Sequence, residues 1–539
     1  MQPSTPPGTG RPRDSPCILA VDLGTSGCKT ALVSLEGHVA GWAFAQVPLH
    51  ILPGGGAEQD PADWWTALVS TARKAMAQGG VPPEAVAGVC CSCQGEGTVP
   101  VDRGGRALMN ALTWADMRGA ALIRAQARGW VNVAGYGARR LARWLRITGG
   151  APALTGSDPA AHMLLVRDRF PEVYRATHKF LNVLDYVNLR LTGRFVATHD
   201  SILTSWVTDN RDLRRVRYHP ALVAASGIDA DKYPDVVPCT EVIGTLQAAA
   251  AVDLGLPAET PVVAGSVDNT AVAIGSGALD DFEAHLYVGT SSWIGAHVPF
   301  KKADVFSNVA SVPCARKDRY LMVALQSNAG VCLSFLKDRI LYHDDELLKE
   351  GQAPDVYGIL DRMAARVPAG SRGLIFTPWL HGERTPVADP CLRGGFFNLG
   401  LEHSRPDMVR AILEGVAFNT RWMRRPVERF LGRPLPGITV VGGGAVSDTW
   451  CQVLADVLDM PVRQLAEPMQ ANARGAAGIG AVGLGLLTFP QTARMATVRR
   501  VYSPEPAHRD VYDRGFSTFL EVHRRVRPLY RRLNAVQGR

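Results

Sequence analysis

The sequence predicts an α/β protein of two related units, each with a mixed sheet and flanking helices. The first observation is a strand pattern near the start, where the apolar residues 17–21 lead into a turn of small residues at 22–26 and further strands follow. The second is its recurrence at 282–298, which again indicates strand, Gly-Thr-Ser turn, strand. The third is the stretch 437–462, whose pattern indicates a strand, a glycine-rich turn and a helix.

Local signals justify the other elements in chain order. A helix is expected to begin near Pro61, because Asp60 can cap it, proline suits the first helical position and Asp63 lies near the positive end of its dipole. The apolar run VAGVCCSC (86–93) predicts a buried strand. Longer helical patterns cover three more stretches: 116–190, 403–431 and 507–534.

At 539 residues the chain is too long for a single core, and the joint between its units is expected near 262–281. We therefore predict two domains, 17–276 and 277–539. The preceding residues 1–16 are rich in proline and glycine and lack an apolar segment, which predicts a disordered tail.

Composition excludes several classes of function. Hydrophobic residues make up 46% and charged residues 20%, as is ordinary for a soluble globular protein. The net charge of +8 comes from scattered arginines rather than one basic patch, so no nucleic-acid partner is expected. The longest apolar stretch, 475–489, is too short and too rich in glycine to cross a bilayer. We expect a cytoplasmic protein with no membrane partner.

The ten cysteines are mostly scattered, and only Cys90, Cys91 and Cys93 are close together. No second Cys or Cys/His pair has the spacing of a zinc finger. Because cysteine is small and buries readily, we expect these thiols to be structural parts of a strand.

Three turns of small residues follow strands, at 22–26, 289–291 and 442–445. Glycine lets the backbone approach a ligand closely, and backbone N–H groups with Thr or Ser hydroxyls can bind phosphate oxygens. The chain contains no Gly-Lys pair, which excludes a Walker A loop, and no Rossmann glycine pattern follows the first strand. Each turn alone could simply reverse the chain, but their order in one sequence is more specific.

With these turns and several further motifs, the chain resembles the FGGY family of carbohydrate kinases, within the actin/hexokinase-like ATPase superfamily, from about residue 17 to 515. Among its branches the similarity is greatest to the xylulokinases. The matching motifs are DLGTSGCK (22–29), EQDPADWW (58–65), WADMR (114–118), LDYVNLRLTG (184–193), VVAGSVDNTAVAIGSG (262–277), LYVGTSS (286–292), HGERTPVADP (381–390), LEGVAF (413–418) and VVGGGAVSDTWCQVLAD (440–456).

The resemblance implies two ribonuclease-H-like domains with an active-site cleft between them, the first binding a sugar and the second ATP. It implies transfer of the γ-phosphoryl group of ATP to a sugar hydroxyl, with Asp268 as the catalytic base and Asp22 near Mg²⁺. A carboxylate is a suitable proton acceptor, and Mg²⁺ takes one or two carboxylates plus phosphate oxygens. Asp268 could instead only cap a helix, and Asp22 could only close a turn. The implied ATP-binding residues are Gly24, Thr25, Ser26, Lys29, Gly289, Thr290, Gly443, Gly444 and Ala445.

On the sugar side the resemblance implies Gln94, Glu96, Trp114, Asp116, Arg118, Asp268 and Asn269. Xylulokinases typically have Gln-Met-His-Gly where this chain has Gln94-Gly95-Glu96-Gly97, so a carboxylate replaces an imidazole. They usually have Lys and Trp where this chain has His162 and Leu165. Glu96 could also be an ordinary loop acid.

Because the similarity is greatest to the xylulokinases, the default substrate is D-xylulose. Glycerol, a tetritol, ribulose and an autoinducer-2 type sugar are alternatives within the class. Two other readings are a sugar-binding protein without turnover and an actin- or chaperone-like ATPase. The HGERTP and EQDPADWW segments favour a sugar kinase. A homodimer is possible, since dimers are common in the family.

Overall fold

The computed structural model describes residues 16–534 except 344, 346–350, 352 and 354. The predicted disordered tail, apart from Pro16, lies outside the described residues. The first half contains a six-stranded mixed sheet in the order β5-β6-β4-β1-β2-β3. Its strands are β1 Cys17–Gly24, β2 Gly27–Ser34, β3 Val39–Gln46, β4 Val86–Cys93, β5 Val242–Thr245 and β6 Pro261–Val267.

The second half contains an eight-stranded sheet in the order β9-β10-β11-β8-β7-β12-β13-β14. Its strands are β7 Ala284–Val288, β8 Ser292–Val298, β9 Ala303–Asp304, β10 Val309–Val312, β11 Tyr320–Gln326, β12 Ile438–Val441, β13 Val462–Leu465 and β14 Val498–Tyr502.

The two sheets repeat one arrangement. In the first, the antiparallel strands β3, β2 and β1 are followed by β4 and β6, which run parallel to β1. In the second, β11, β8 and β7 are followed in the same way by β12 and β13. This is the ribonuclease-H-like order, so the predicted α/β fold of two related units is confirmed.

Sixteen helices accompany these sheets in the part of the chain that the structure describes. They are α1 Pro61–Gly79, α2 Ala120–Ala127, α3 Ala138–Ile147, α4 Pro159–Arg169, α5 Pro171–Ala176, α6 Val183–Thr192, α7 Pro220–Ser226, α8 Ala248–Leu254, α9 Asp268–Gly275, α10 Gly330–Leu336, α11 Val356–Ala365, α12 Arg405–Leu431, α13 Asp448–Leu458, α14 Ala471–Gly483, α15 Phe489–Thr492 and α16 Arg509–Asn534. None of them combines the length and apolarity that crossing a bilayer requires.

Short strands form small additional sheets. One has the three strands His50–Leu52, Gly56–Gln59 and Ala111–Leu112. The others are the pairs Val99–Val101 with Lys179–Leu181, Asn132–Val133 with Tyr136–Gly137, Val196–Thr198 with Asp235–Val237, Thr208–Asp209 with Arg217–Tyr218, and Ile375–Thr377 with Gly395–Phe397.

The helix start predicted at residue 61 is confirmed in detail. Helix α1 begins at Pro61, and the Asp60 carboxylate accepts a hydrogen bond from the Ala62 N–H at 2.8 Å. The cysteine-containing run is strand β4, in which Cys90, Cys91 and Cys93 are fully buried. Burial raises the pKa of each of these three thiols, so they are unreactive.

Helices α9 and α14 contact both sheets and bring the two halves together. One face of the first sheet packs on them through a cluster that includes Ile18, Ile274 and Ile479, and the second sheet packs on them through Trp293 and Val272. The outer faces of the sheets are covered by other helices, chiefly α1, α6 and α8 on the first and α12, α13 and α16 on the second.

The contact between α9 and α14 is made backbone to backbone. A Cβ atom added to Gly475 would lie 1.8 Å from the Ala271 carbonyl oxygen, and one added to Gly275 would lie 1.8 Å from that of Ala471. Only glycine fits at either position. The first part of the glycine-rich stretch 475–489 is therefore a tightly packed helix at the junction of the halves.

Candidate active site

Several of the predicted site residues lie at the carboxyl ends of the central strands of both sheets. Residues 22–26 end β1, Gln94 follows β4 and Asp268 follows β6, while Gly289 follows β7 and Gly442 follows β12. In open α/β sheets, this edge is where ligands bind. The two halves contribute matching sets of turns to one cleft.

Contacts between the halves border this cleft. The Lys29 Nζ atom is 3.0 Å from a carboxylate oxygen of Asp22, its neighbour across β1 and β2. The same amine donates a hydrogen bond to the Met469 carbonyl oxygen of the second half at 2.7 Å. Asp22 and Lys29, both predicted near the phosphates, are thus paired with each other at the boundary between the halves.

Asp268 is the first residue of α9 and is partly buried in the cleft. Burial, together with the negative charges of Asp22, Glu96 and Asp200, raises the pKa of its carboxyl group to about 7. The Asn269 N–H, which donates to the Asp268 Oδ1 atom at 2.7 Å, opposes that rise. A carboxylate with a pKa near neutrality is a stronger base than an ordinary aspartate.

A second carboxylate, Asp200, holds the backbone immediately before Asp268. Its Oδ2 atom accepts from the Val267 N–H at 3.1 Å, and its Oδ1 atom accepts from the Thr198 hydroxyl at 2.6 Å. Burial raises the pKa of Asp200. Sequence reasoning missed this residue, because the segment around it carries no recognisable motif.

Thr25 connects the first turn to Gln94 and Trp114, two of the residues predicted to bind a sugar. Its hydroxyl donates to the Gln94 side-chain oxygen at 2.8 Å and accepts from the Trp114 indole N–H at 2.8 Å. Gln59 completes the network, since its amide oxygen accepts from Gln94 Nε2 at 2.7 Å and its Nε2 atom donates to the Thr25 carbonyl oxygen at 2.9 Å. Gln59 lies within the EQDP segment but was not predicted as a site residue. Ser26, which follows Thr25 in the turn, is exposed.

Asp116 and Arg118 form a buried ion-pair cluster behind Trp114. The Arg118 guanidinium lies 2.6 Å from both the Asp116 and the Glu58 carboxylate, and Asp116 also accepts from the Ala57 N–H at 3.0 Å. His162 is fully buried against them, with its Nε2 atom 3.2 Å from the Asp116 carbonyl oxygen. Burial lowers the pKa of His162 to about 4, so this imidazole is neutral. Leu165 packs in the neighbouring apolar cluster.

Glu96 lies in the loop after β4 with a positive φ of 64°. Burial raises the pKa of Glu96, and the charge of Arg384 from the second half opposes that rise. The Arg384 guanidinium lies 5.6 Å from the centre of the Trp114 ring, within the range of a cation–π contact. Arg384 lies in the HGERTP segment, but its position beside the predicted sugar residues was not foreseen.

Asp158 is a further acid near Glu96 that sequence reasoning missed. Its Oδ2 atom accepts from the Trp206 indole N–H at 2.5 Å and from the Ala153 N–H at 2.8 Å. Its Oδ1 atom is buried and has no partner among the described residues. Burial and the charge of Glu96 raise the pKa of Asp158 to about 7.

The turns of the second half leave backbone exposed to the cleft. Gly289 is held by its N–H bond to the Ser291 carbonyl oxygen at 2.9 Å, and the following Thr290 is exposed. Around Gly443 there is open space for 4 Å beyond a hypothetical Cβ atom, whereas a Cβ atom on Gly444 would collide with Val288 at 2.4 Å. Ala445 is fully buried below them. Gly443 is the position of this turn at which a ligand can approach the backbone.

The described residues contain no cluster of three or more His, Cys, Asp or Glu side chains able to hold a metal ion. Asp22 supplies a single carboxylate, which suits a Mg²⁺ ion that takes most of its remaining ligands from water and nucleotide phosphates. Gly24, beside Asp22, is partly exposed at the same edge.

Comparison with known proteins agrees with this geometry. Models of the N-terminal and C-terminal domains of the FGGY family of carbohydrate kinases match residues 17–275 and 284–484. A xylulose kinase of Bacillus subtilis is 28% identical over 514 residues, covering 94% of this chain and 96% of that protein. A gluconokinase of the same organism is 25% identical, covering 87% and 88%. The crystal structure of a xylulose kinase from Brucella ovis is 26% identical, with a TM-score of 0.79 and coverage of 95% and 100%.

Three findings lead to one conclusion: the two ribonuclease-H-like sheets, the turns of small residues at one edge of both sheets, and the matches along nearly the whole chain. The chain belongs to the FGGY family of carbohydrate kinases, enzymes that phosphorylate a sugar or polyol with ATP.

Proposed function

We propose that this kinase phosphorylates a ketose or small polyol, with D-xylulose as the first candidate, and that Asp268 is its general base. The observation that carries the proposal is the Asp268 carboxyl, whose pKa is raised to about 7 in the cleft where the turns of both halves meet. Near neutral pH such a carboxylate can accept the proton of a sugar hydroxyl as that oxygen attacks phosphorus.

The other residues of the cleft have supporting roles in this mechanism. Phosphate oxygens would be bound by the backbone at Thr25, Ser26, Thr290 and Gly443 and by the hydroxyls of Ser26 and Thr290. The Thr25 hydroxyl would instead hold Gln94 and Trp114 in place. Lys29 would add positive charge beside them, and Asp22 would hold Mg²⁺ through its carboxylate. When bound, Mg²⁺ neutralises charge on the phosphates. Closure of the halves would exclude water from the transfer.

The sugar subsite combines Trp114 as an apolar wall with Gln94, Glu96 and Asn269 as polar groups. The Glu96 carboxylate can accept hydrogen bonds from two hydroxyls of a polyol. The similarity to xylulose kinases supports D-xylulose, but Glu96 stands where those enzymes typically have histidine. Shorter polyols therefore belong in the test.

An aldonate such as gluconate is a second candidate substrate. Arg384 is the observation that favours it, because a guanidinium beside Trp114 could pair with a sugar carboxylate. One relative in the comparisons is a gluconokinase. The nearby Glu96 and Asp158 carboxylates oppose a second negative charge, so the ketose remains the first candidate.

The test is ADP release with Mg-ATP across D-xylulose, L-xylulose, D-ribulose, glycerol, erythritol and gluconate. Preference in kcat/KM for D-xylulose would support the first candidate, and preference for gluconate would support the second. Preference for glycerol or erythritol would make Glu96 a determinant of specificity. Sugar-independent ADP release, or none, would contradict the proposal.

A further inference from the structure

Tyr287 lies near the carboxyl end of β7, beside the Gly289 turn, and has no role in the mechanism above. It is the residue before last of β7, it is partly exposed, and it lies directly across from Trp293 on β8. The two rings are stacked with their centres 4.0 Å apart and their planes 16° apart. Trp293 in turn packs on Val272 and Ala273 of α9, the helix that begins with Asp268. The Tyr287 ring is thus fixed on the face of the second sheet that packs on the Asp268 helix.

The Tyr287 ring extends across two of the turns of small residues, those at Gly289 and Gly442. A Cβ atom added to Gly289 would lie 2.5 Å from the Tyr287 hydroxyl oxygen, and one added to Gly442 would lie 3.1 Å from the ring edge. The glycines at both positions leave room for this ring. The hydroxyl therefore lies directly over the turn that is expected to bind phosphate from the second half.

The Tyr287 hydroxyl is not held by another side chain in the part of the chain that the structure describes. Burial raises the pKa of Tyr287, and the negative charges of Asp22 and Asp268 raise it further, so the hydroxyl keeps its proton at every working pH. No hydrogen-bond partner for it is found among the described residues. A neutral O–H group is therefore available to a ligand beside the Gly289 turn.

We propose that the Tyr287 hydroxyl donates a hydrogen bond to the phosphoryl group during its transfer from ATP to the sugar. The inference rests on the proposed function, because it adds a residue to that reaction. When ionised, the acids of this region can accept hydrogen bonds but cannot donate them. Donors to a phosphoryl group must therefore be N–H groups, Lys29 or hydroxyls.

The step balances without a further reactant. The sugar oxygen forms its bond to the γ-phosphorus while its proton passes to the Asp268 carboxylate. The bond from the γ-phosphorus to the bridging oxygen breaks, and its electron pair leaves on ADP. Tyr287 keeps its proton throughout and stabilises charge on an equatorial phosphoryl oxygen, which is how preorganised donors accelerate such transfers.

The experiment compares wild type with Tyr287→Phe, which keeps the stacked ring and removes only the hydroxyl. We expect kcat to fall about 10- to 100-fold, as for loss of one donor to a charged transition state, with KM for the sugar and the Kd of ATP within about threefold. Inhibition by ADP with aluminium fluoride and the sugar, a mimic of the phosphoryl in transfer, should weaken by a similar factor. Tyr530→Phe, on α16, is the matched control and should behave as wild type.

The outcomes of this experiment distinguish failure of the Tyr287 inference from failure of the proposed function. A Tyr287→Phe variant with unchanged kcat and unchanged inhibition by the mimic would overturn the inference and leave the proposed function standing. The same result together with tighter ATP binding by Tyr287→Ala would show that the ring only obstructs the phosphate turn, which also overturns it. A wild type that phosphorylates no sugar would overturn both proposals.

Discussion

The position of Asp268 in the fold changes the pKa of its side chain. As the first residue of α9 it receives the Asn269 N–H, yet burial and three neighbouring acids still raise its pKa to about 7. We expect Asp268→Asn to lower kcat about 10²- to 10⁴-fold, because the proton acceptor is lost while its volume is kept. Steady-state kinetics measure the fall, and calorimetry should give an ATP Kd close to that of wild type.

Asp280→Asn is the matched control for that variant, since it makes the same change at an exposed aspartate shortly after α9. It should keep full activity. Normal turnover by Asp268→Asn would show that another group accepts the proton.

The raised pKa of Asp268 also predicts a pH dependence. The base must be ionised, so kcat/KM should rise through about pH 7 and then level off.

The effect of the raised Asp268 pKa on stability has the opposite direction. The carboxyl group keeps its proton to higher pH in the folded chain than in the unfolded chain. Asp268 therefore makes folding less favourable as pH rises from about 4 to 7. Melting curves of Asp268→Asn should match wild type near pH 4 and show a higher Tm at pH 8. An equal Tm at pH 8 would contradict the shift.

Glu96 is the residue at which this chain departs from typical xylulokinases. We expect Glu96→His to shift the ratio of kcat/KM values toward D-xylulose, because an imidazole can both donate and accept a hydrogen bond. Glu96→Gln, of nearly equal size, separates loss of charge from gain of an imidazole. If neither variant changes the substrate profile, Glu96 does not face the ligand.

The site residues that sequence could predict are those within short motifs, such as Asp22, Asp268 and Gly289. Asp200, Asp158 and Arg384 could not be predicted, because each acts through contacts with segments far away in the chain. Asp200, for example, reaches the backbone before Asp268 across 67 residues. Thr25 illustrates the same limit: its motif predicts a phosphate contact, while its hydroxyl in the structure bonds Gln94 and Trp114.

At the scale of elements, the sequence predicts a helix or strand correctly where neighbouring residues alone determine it. The start of α1 follows from Asp60 and Pro61, and strand β4 follows from its apolar run. The close packing of α9 on α14 could not be predicted, because it depends on glycines in two distant segments that meet only in the folded chain.

This helix contact gives a prediction about stability. Gly475→Ala places a methyl group 1.8 Å from the Ala271 carbonyl oxygen, so the helices must separate. We expect a loss of about 1–3 kcal/mol, as for overpacking of a core, seen as a lower Tm. Gly478→Ala on the same helix is the control, because its methyl group would meet only side-chain atoms, the nearest at 3.2 Å. Equal melting temperatures for the two variants would contradict the packing.

At the scale of the whole molecule, the two halves meet through specific polar contacts as well as helices. Lys29 bonds the Met469 carbonyl oxygen, the Tyr320 hydroxyl donates to the Asn210 carbonyl oxygen at 2.9 Å, and Lys301 binds carbonyl oxygens at the end of α3. Arg384 extends over Trp114. The predicted division at residue 276 remains a prediction, and α14 from the second half packs against the first sheet.

Arg384 makes a contact between the halves beside Trp114 and Glu96, two of the residues proposed to bind the sugar. We expect Arg384→Gln to raise KM for the sugar about tenfold, because it removes a positive charge beside Trp114 and Glu96. The Kd of ATP in the absence of sugar should stay near that of wild type. Arg103→Gln, at an exposed arginine, is the control. A parallel loss of ATP affinity would assign Arg384 to the nucleotide instead.

The glycine contact between α9 and α14 lies at the junction of the halves, and we expect the halves to rotate about it when they close. Asp268 and Gly275 are at opposite ends of α9, about 10 Å apart along its axis. A relative rotation of the halves by about 10° around Gly275 would therefore move the Asp268 carboxylate by about 2 Å, comparable to the difference between a hydrogen bond and a lost one. The length of α9 between Gly275 and Asp268 would thus determine how far closure of the halves moves the proposed base.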